Sequence, residues 1–365
     1  MELPSRAMAL PDVADGGGAS YSALTPAAAP ADQRLTAGTT SSSTITWGTP
    51  TGGSGSVSLA VTLDTVHASG SPALSGSGSS RTVTGLSDGD VVLARGVWTD
   101  AVTGETVEQA VAVSVAQPTS GASWTVGAVD IDFTSADTLA GVNSGTLAVT
   151  TDSGGTALCS IVVDPSSTGV HTVGVTNGTG VVFVSPSGTG RITGAVDLAA
   201  LLSLTPEDML SSVICVQFAV DGVDCDASND VLRLAVGTGT DAGDGTAKGG
   251  HRFIRASGTT VTPTTILDAA NTTWGSAIST PTEYVVSLYI IGGREVYATY
   301  DVGTTTLPAP SIAALGLARS TGTVATAAGD APTVVRFDGS PLYAQVSAGA
   351  TATFNCRRVR VSTYG

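Results

Sequence analysis

The stretch TEYVVSLYIIGGREVYATYD, Thr282 to Asp301, constrains the fold more than any other. Two runs of β-branched and aromatic residues flank Gly292-Gly293, and a glycine pair between such runs is a hairpin turn. The same pattern recurs along all 365 residues: short Val- and Thr-rich runs are broken by glycine, of which there are 46. Good helix formers such as Glu, Lys and Gln are scarce, and Lys248 is the sole lysine. Such a chain must build its core from strands and turns. The hydrophobic share of 42%, gathered into clear runs, excludes general disorder.

The runs divide the chain. Residues 1–35 are rich in Ala, Gly, Pro and Ser and read as a flexible N-terminal arm. Residues 36–117 read as a small β module, residues 118–123 as a linker, and residues 124–365 as a larger β domain. Strands are expected there at 124–133, 144–150, 156–164, 179–185, 213–220, 230–236, 250–256, 283–291, 294–301, 312–318, 333–337 and 352–362. One helical interruption is expected. Leu198, Leu201 and Leu202 have helical spacing, and TPEDML offers Thr205 as an N-cap. In the closing strand, TATFNCRRVRVSTYG, Phe354 and Cys356 share one face while Val359 and Val361 belong to the other. A bulge near Arg357-Arg358 would restore the phase.

Charge narrows the partners. The formal net charge of −15 opposes nucleic acid and anionic lipid. No apolar run reaches 18 residues, so no membrane insertion is expected. The N-terminus lacks the charged region and apolar core of a signal peptide, so synthesis in the cytoplasm is expected.

Most catalytic signatures are missing. No phosphate loop or nucleophile elbow is present. His67, His171 and His251 lie far apart, and Cys159, Cys215, Cys225 and Cys356 form no C-x-x-C pair. Asp130 and Asp132 in VDIDF share a strand face and are the nearest pair to an acid and a base. Asp221, Asp224, Asp226 and Asp230 are expected in one loop, where short-spaced oxygens suit Ca²⁺. Trp274, Tyr289 and Tyr297, with Tyr284, are the aromatics suited to stack on sugar rings, and core packing is their alternative role. Arg357, Arg358 and Arg360 suggest a carboxylate clamp or a subunit contact, against the simpler role of local ion pairs.

Two resemblances follow from these residues. TITWGTPTGG, then TVTGLSDGDVVLARGVWTD, resembles a fibronectin type III or Ig-like sandwich, and implies that Trp47 and Leu86 fill its core. DVLRLAVGTG, GHRFIRASG, the Thr282–Asp301 hairpin and the final FNCRRVRV resemble a concanavalin-A-like (laminin-G-like) jelly roll. The fold class expected is therefore all-β, an Ig-like sandwich followed by a larger jelly-roll-type β-sandwich. The composition in turn resembles phage fibre, spike and capsid-decoration proteins. That resemblance implies a non-enzymatic, trimeric protein of the virion surface. Its arm would join other virion subunits, and its larger domain would bind a host-surface glycan. The alternatives are a purely architectural subunit and a polysaccharide-degrading enzyme on the same fold.

Overall fold

The apolar runs become strands in a computed structural model. It describes residues 21–365 apart from 29, 31–32, 37–40, 116–123, 152–154, 166–171, 186–191, 204–211, 226–229, 238–246, 258–259, 268–269, 274–277, 280–282, 293–294, 311–333 and 342–351. The expected linker, the Thr205 cap and the strand at 312–318 lie outside the described residues.

The first module holds β1 (Ser22–Thr25), β2 (Gln33–Leu35), β3 (Ser41–Thr46), β4 (Thr51–Gly53), β5 (Val57–His67), β6 (Ala73–Ser75), β7 (Ser80–Leu86), β8 (Val91–Asp100) and β9 (Thr106–Val115). One sheet runs β2-β9-β8-β5 and the facing sheet runs β3-β7-β6. Ile45, Trp47, Val83, Leu86, Val92 and Val111 pack between them, so Trp47 and Leu86 take the places the Ig-like resemblance implied. Gly96 lies against Trp47, and a Cβ there would come within 2.5 Å of the indole nitrogen. Two buried aspartates tie the turns. Asp90 accepts from the amides of Ser69, Gly70 and Ser87. Asp100 accepts from those of Thr103, Ser54 and Val102, which hold its carboxyl well below the usual range.

The free arm needs correction, because its last residues belong to this module. β1 pairs antiparallel with β4, and β2 pairs parallel with β9. Leu24 is buried and its amide donates to Glu105 Oε2 at 2.8 Å, while the Gln109 side-chain amide donates to the Ala27 carbonyl at 2.5 Å. The physical reason is edge pairing. Sheet edges offer unpaired backbone groups, and Leu24 and Leu35 are apolar side chains that gain by covering the core.

The second module begins with β10 (Trp124–Asp132), followed by the 3-10 turn Phe133–Ser135. Then come β11 (Leu139–Val142), β12 (Gly145–Thr150), β13 (Ala157–Pro165), β14 (Thr172–Thr176), β15 (Gly180–Ser185) and β16 (Ile192–Asp197). After the short helix α1 (Leu198–Leu202) come β17 (Val213–Cys225), β18 (Asp230–Gly237), β19 (Ala247–Ser257), β20 (Thr260–Leu267), β21 (Ala270–Thr273) and β22 (Ile278–Ser279). The last four strands are β23 (Glu283–Ile291), β24 (Glu295–Val302), β25 (Val334–Pro341) and β26 (Ala352–Tyr364). One sheet runs β11-β14-β15-β26-β17-β23-β24 with β10 also on β26; the other runs β12-β13-β16-β25-β18-β19-β20-β21 with β22 on β20. Ile161, Phe183, Phe218, Leu234, Tyr284 and Val361 fill the space between. The chain is an all-β protein of two sandwiches.

The hairpin forms as read: β23 and β24 pair from Tyr284↔Val302 to Ile291↔Glu295, with Gly292 at φ 56° in the turn. The bulge forms too. Ala219 opposes Arg358 and Val220 opposes Cys356, so Arg357 is the extra residue. It keeps Cys356, Val359 and Val361 all facing the core.

β17, β23 and β26 are covered on both faces. Their outward residues Val213, Cys215, Tyr289, Ile291 and Tyr364, with Trp124, pack against Val66, Val91, Leu93 and Ala112 of the first module. The two sandwiches thus share an apolar core. At its centre the Tyr364 hydroxyl donates to the Gly89 carbonyl at 3.0 Å, and the ring meets His67 edge-on at 5.0 Å. Burial, with nearby Asp90, pushes the Tyr364 hydroxyl up to about 12.

Tyr364→Ala should cost about 3–5 kcal/mol in denaturant unfolding, and Tyr364→Phe about 1–2 kcal/mol through the orphaned carbonyl. The folded pKa is raised, so the Tyr364 contribution is complete below the unfolded value of ~10 and is lost as pH rises towards about 12. Unfolding midpoints across pH 9–12 should fall less in Tyr364→Phe than in the unaltered chain.

Candidate functional site

The bulge at Arg357 creates the most chemically varied surface among the described residues. It turns Asn355, Arg357, Arg358 and Arg360 to the outer face of the sheet, beside Asp221 and Gln217 of β17 and Asp130 of β10. Arg358 grips Asp130 through two bonds of 2.6 Å, from Nε to Oδ1 and from Nη2 to Oδ2. That carboxylate holds the guanidinium above its ordinary pKa. Arg357 Nη1 meets Asp221 Oδ2 at 2.6 Å, and Asn355 Nδ2 donates to Asp221 Oδ1 at 3.1 Å. The side chains of Arg357 and Arg358 are 36% and 43% exposed, so both pairs lie partly open to solvent.

Arg360 differs. It makes no ion pair with a carboxylate among the described residues. Its Nε and Nη2 donate to Gln217 Oε1 at 2.9 and 2.5 Å, and Nη2 also donates to the Pro308 carbonyl. Burial lowers its pKa from the ordinary value. Gln217 is fully buried, and its Nε2 donates to Ser287 Oγ and to the Pro308 carbonyl, each at 3.0 Å.

The residues singled out by sequence fare unequally. The three arginines do converge, but two of them are engaged in local ion pairs. Asp130 and Asp132 share a face as expected, yet Asp130 is bound to Arg358, and Asp132 caps the 3-10 turn by accepting from the Thr134 amide at 3.0 Å. The acidic loop needs correction: Asp221 and Asp224 lie on β17, Asp230 opens β18, and these strands belong to opposite sheets. β17 continues pairing with β26 beyond the apolar run as far as Cys225, which places Asp221 and Asp224 in a strand. Asp226 lies outside the described residues. Among the described residues no three His, Cys, Asp or Glu side chains group as a metal site. Tyr289 is only 3% exposed and packs edge-on against Trp124 at 6.0 Å, so its ring serves the shared core. The backbone of Tyr297 pairs with it across the hairpin. Trp274 lies outside the described residues.

Gln217, Ser287 and Pro308 were missed. A signal existed for the first: Gln217 is the one polar residue inside VICVQFAV. Cys215 and Cys356 behave as buried hydrophobes, and Cys159 is half-buried. Cys159, Cys215 and Cys356 are free, and burial raises all three, Cys159 and Cys215 to about 12.

No protein-family model and no curated protein matches the chain. Among solved structures, it is similar to a Trypanosoma rangeli sialidase at 14% identity and a TM-score of 0.34, over 62% of this chain and 30% of that one. It is similar to a GH43 protein of Bacillus licheniformis at 9% identity and a TM-score of 0.33, over 74% and 51%. It is also similar to truncated AlyQ, with CBM32 and alginate lyase domains, at 11% identity and a TM-score of 0.34, over 94% and 97%. The chain thus spans about 30% of the sialidase's length. Carbohydrate-active enzymes prevail among these structures. Enzymes stand among them, and the expectation that the chain is no enzyme is withdrawn. Likeness at this level transfers no residue roles.

The geometry ranks the strip by burial. Asp130→Ala or Arg358→Ala should change stability by about 0.5 kcal/mol, because an exposed pair is screened. Gln217→Ala should cost about 1–3 kcal/mol, because it strips acceptors and donors from Arg360, Ser287 and Pro308. Urea unfolding of the three variants checks the order. In the native chain at pH 8, iodoacetamide should leave Cys215 and Cys356 unlabelled, as read by peptide mass spectrometry.

Proposed function

We propose that this chain is a glycan-directed protein whose sugar contacts lie along the outer strip of β26. The supporting observation is the strip itself. Asn355, Arg357, Arg358, Asp221 and Asp130 present planar amide, guanidinium and carboxylate groups, fixed by one another and partly open to solvent. Sugar rings offer pairs of neighbouring hydroxyls, and planar groups of this kind meet such pairs with two parallel hydrogen bonds. Mutual pairing preorganises the side chains and so lowers the entropy lost on binding. The shared core holds the first sandwich against the second, which makes it a rigid flank to the strip.

The sialidase, the GH43 protein and the alginate lyase among the similar structures run in the same direction, but the proposal rests on the strip. A virion setting, with a host-surface glycan as the target and a trimeric assembly, is a separate proposal carried by composition alone. In it, attachment would fall to residues preceding Ser22, since β1 and β2 are built into the first module.

The full chain should retain at least one polysaccharide from a panel of xylan, dextran, alginate and polygalacturonate in affinity electrophoresis. Asn355→Ala together with Arg357→Ala should weaken that retention by tenfold or more, on the order expected for two lost polar contacts. Reducing-end release, assayed on the same panel, tells turnover from binding. Retention that survives the double substitution unchanged would move the site elsewhere.

A further inference from the structure

One oxygen on the outer face is held by two convergent donors. The Pro308 carbonyl accepts from Arg360 Nη2 and from Gln217 Nε2. Pro308 belongs to residues 303–310, which follow β24 without joining a sheet. Pro308 itself is exposed, and its carbonyl is the bond through which this strap reaches Gln217 and Arg360.

The electrostatics of this contact are unbalanced. Arg357 and Arg358 each have a carboxylate, but the acceptors of Arg360 are two neutral carbonyl oxygens. In a chain of net charge −15, with Asp130 paired opposite it on β10, a guanidinium without its own carboxylate among the described residues is conspicuous. Neutral oxygens are the weaker acceptors for it, and a carboxylate in the same place would form charge-assisted bonds about twice as strong.

Resting on the glycan reading above, we propose that Arg360 and Gln217 form the binding position for the carboxylate of an acidic sugar, and that the Pro308 carbonyl occupies it until such a ligand arrives. One carboxylate oxygen takes the place of that carbonyl between Arg360 Nη2 and Gln217 Nε2. The strap lifts, losing two hydrogen bonds. The neighbouring strip then meets the hydroxyls of the same or the next sugar.

The test is calorimetric titration of the full chain with oligogalacturonate and with an uncharged xylo-oligosaccharide. Three proteins are compared: the unaltered chain, Arg360→Gln and Gln217→Glu. The second substitution is nearly isosteric and supplies Arg360 with an internal carboxylate, so it closes the position without removing the guanidinium. The unaltered chain should bind oligogalacturonate, more weakly as salt rises, and both variants should lose about tenfold or more in affinity. The neutral sugar should bind all three alike. Equal oligogalacturonate affinity in the three proteins overturns the inference, as does binding of the neutral sugar alone. Absence of binding by either sugar overturns it together with the glycan reading on which it rests.

Discussion

The pairing of β17 with β26 organises the molecule. The last strand enters the middle of the sheet, with β17 on one side and β10 and β15 sharing the other. Its inward residues Cys356, Val359 and Val361 complete the core of the second sandwich. Its outward residues do two different jobs. Tyr364, at the C-terminal end, docks the first sandwich, Arg358 and Arg357 belong to the polar strip, and Arg360 holds Gln217 and the Pro308 carbonyl. One bulge at Arg357 sets the phase that keeps these roles apart, because a strand turns every side chain over when its register slips by one residue.

This arrangement makes the outer face a scarce resource. Its upper part is covered by Val66, Val91, Leu93 and Ala112 of the first module, and Gln217 and Ser287 are closed over by the strap through Pro308. What stays partly open is the stretch from Asp130 and Arg358 to Asp221 and Asn355. Under the proposed function, this partly open stretch, flanked by the first sandwich and by the strap, would meet the hydroxyls of an extended sugar chain. The carboxylates there are tied to arginines or to a helical turn, so Asp130 and Asp132 already have structural work.

Much of the fold was legible because its signals are local. Gly292 between two β-branched runs marks the hairpin, and the clash of phase between Cys356 and Val359 marks the bulge. Trp47 and Leu86 reached the core the Ig-like pattern assigned them. The rest depends on contacts between residues far apart in the chain. VICVQF and YVVSLYII are apolar at successive positions, the mark of strands buried on both faces. Nothing local says that the second cover is the first module. Leu24 could not be told from a residue of a free arm until β4 was placed beside it. Weak strands such as β14 and β16 were missed because Gly174 and Gly194 interrupt short runs. At the site, the arginines stood out by their charge in an acidic chain. Gln217 was hidden by the apolar run around it, and Pro308 acts through its backbone, which carries no signature in sequence.

The central claim is that two sandwiches sharing one apolar core behave as a single body, with the polar strip held at their common face. Differential scanning calorimetry of the full chain tests it directly. The account predicts one transition whose calorimetric enthalpy equals the van't Hoff enthalpy, since losing either sandwich exposes the shared core. Two resolved transitions, or a calorimetric enthalpy well above the van't Hoff value, would show modules that unfold independently and would contradict it.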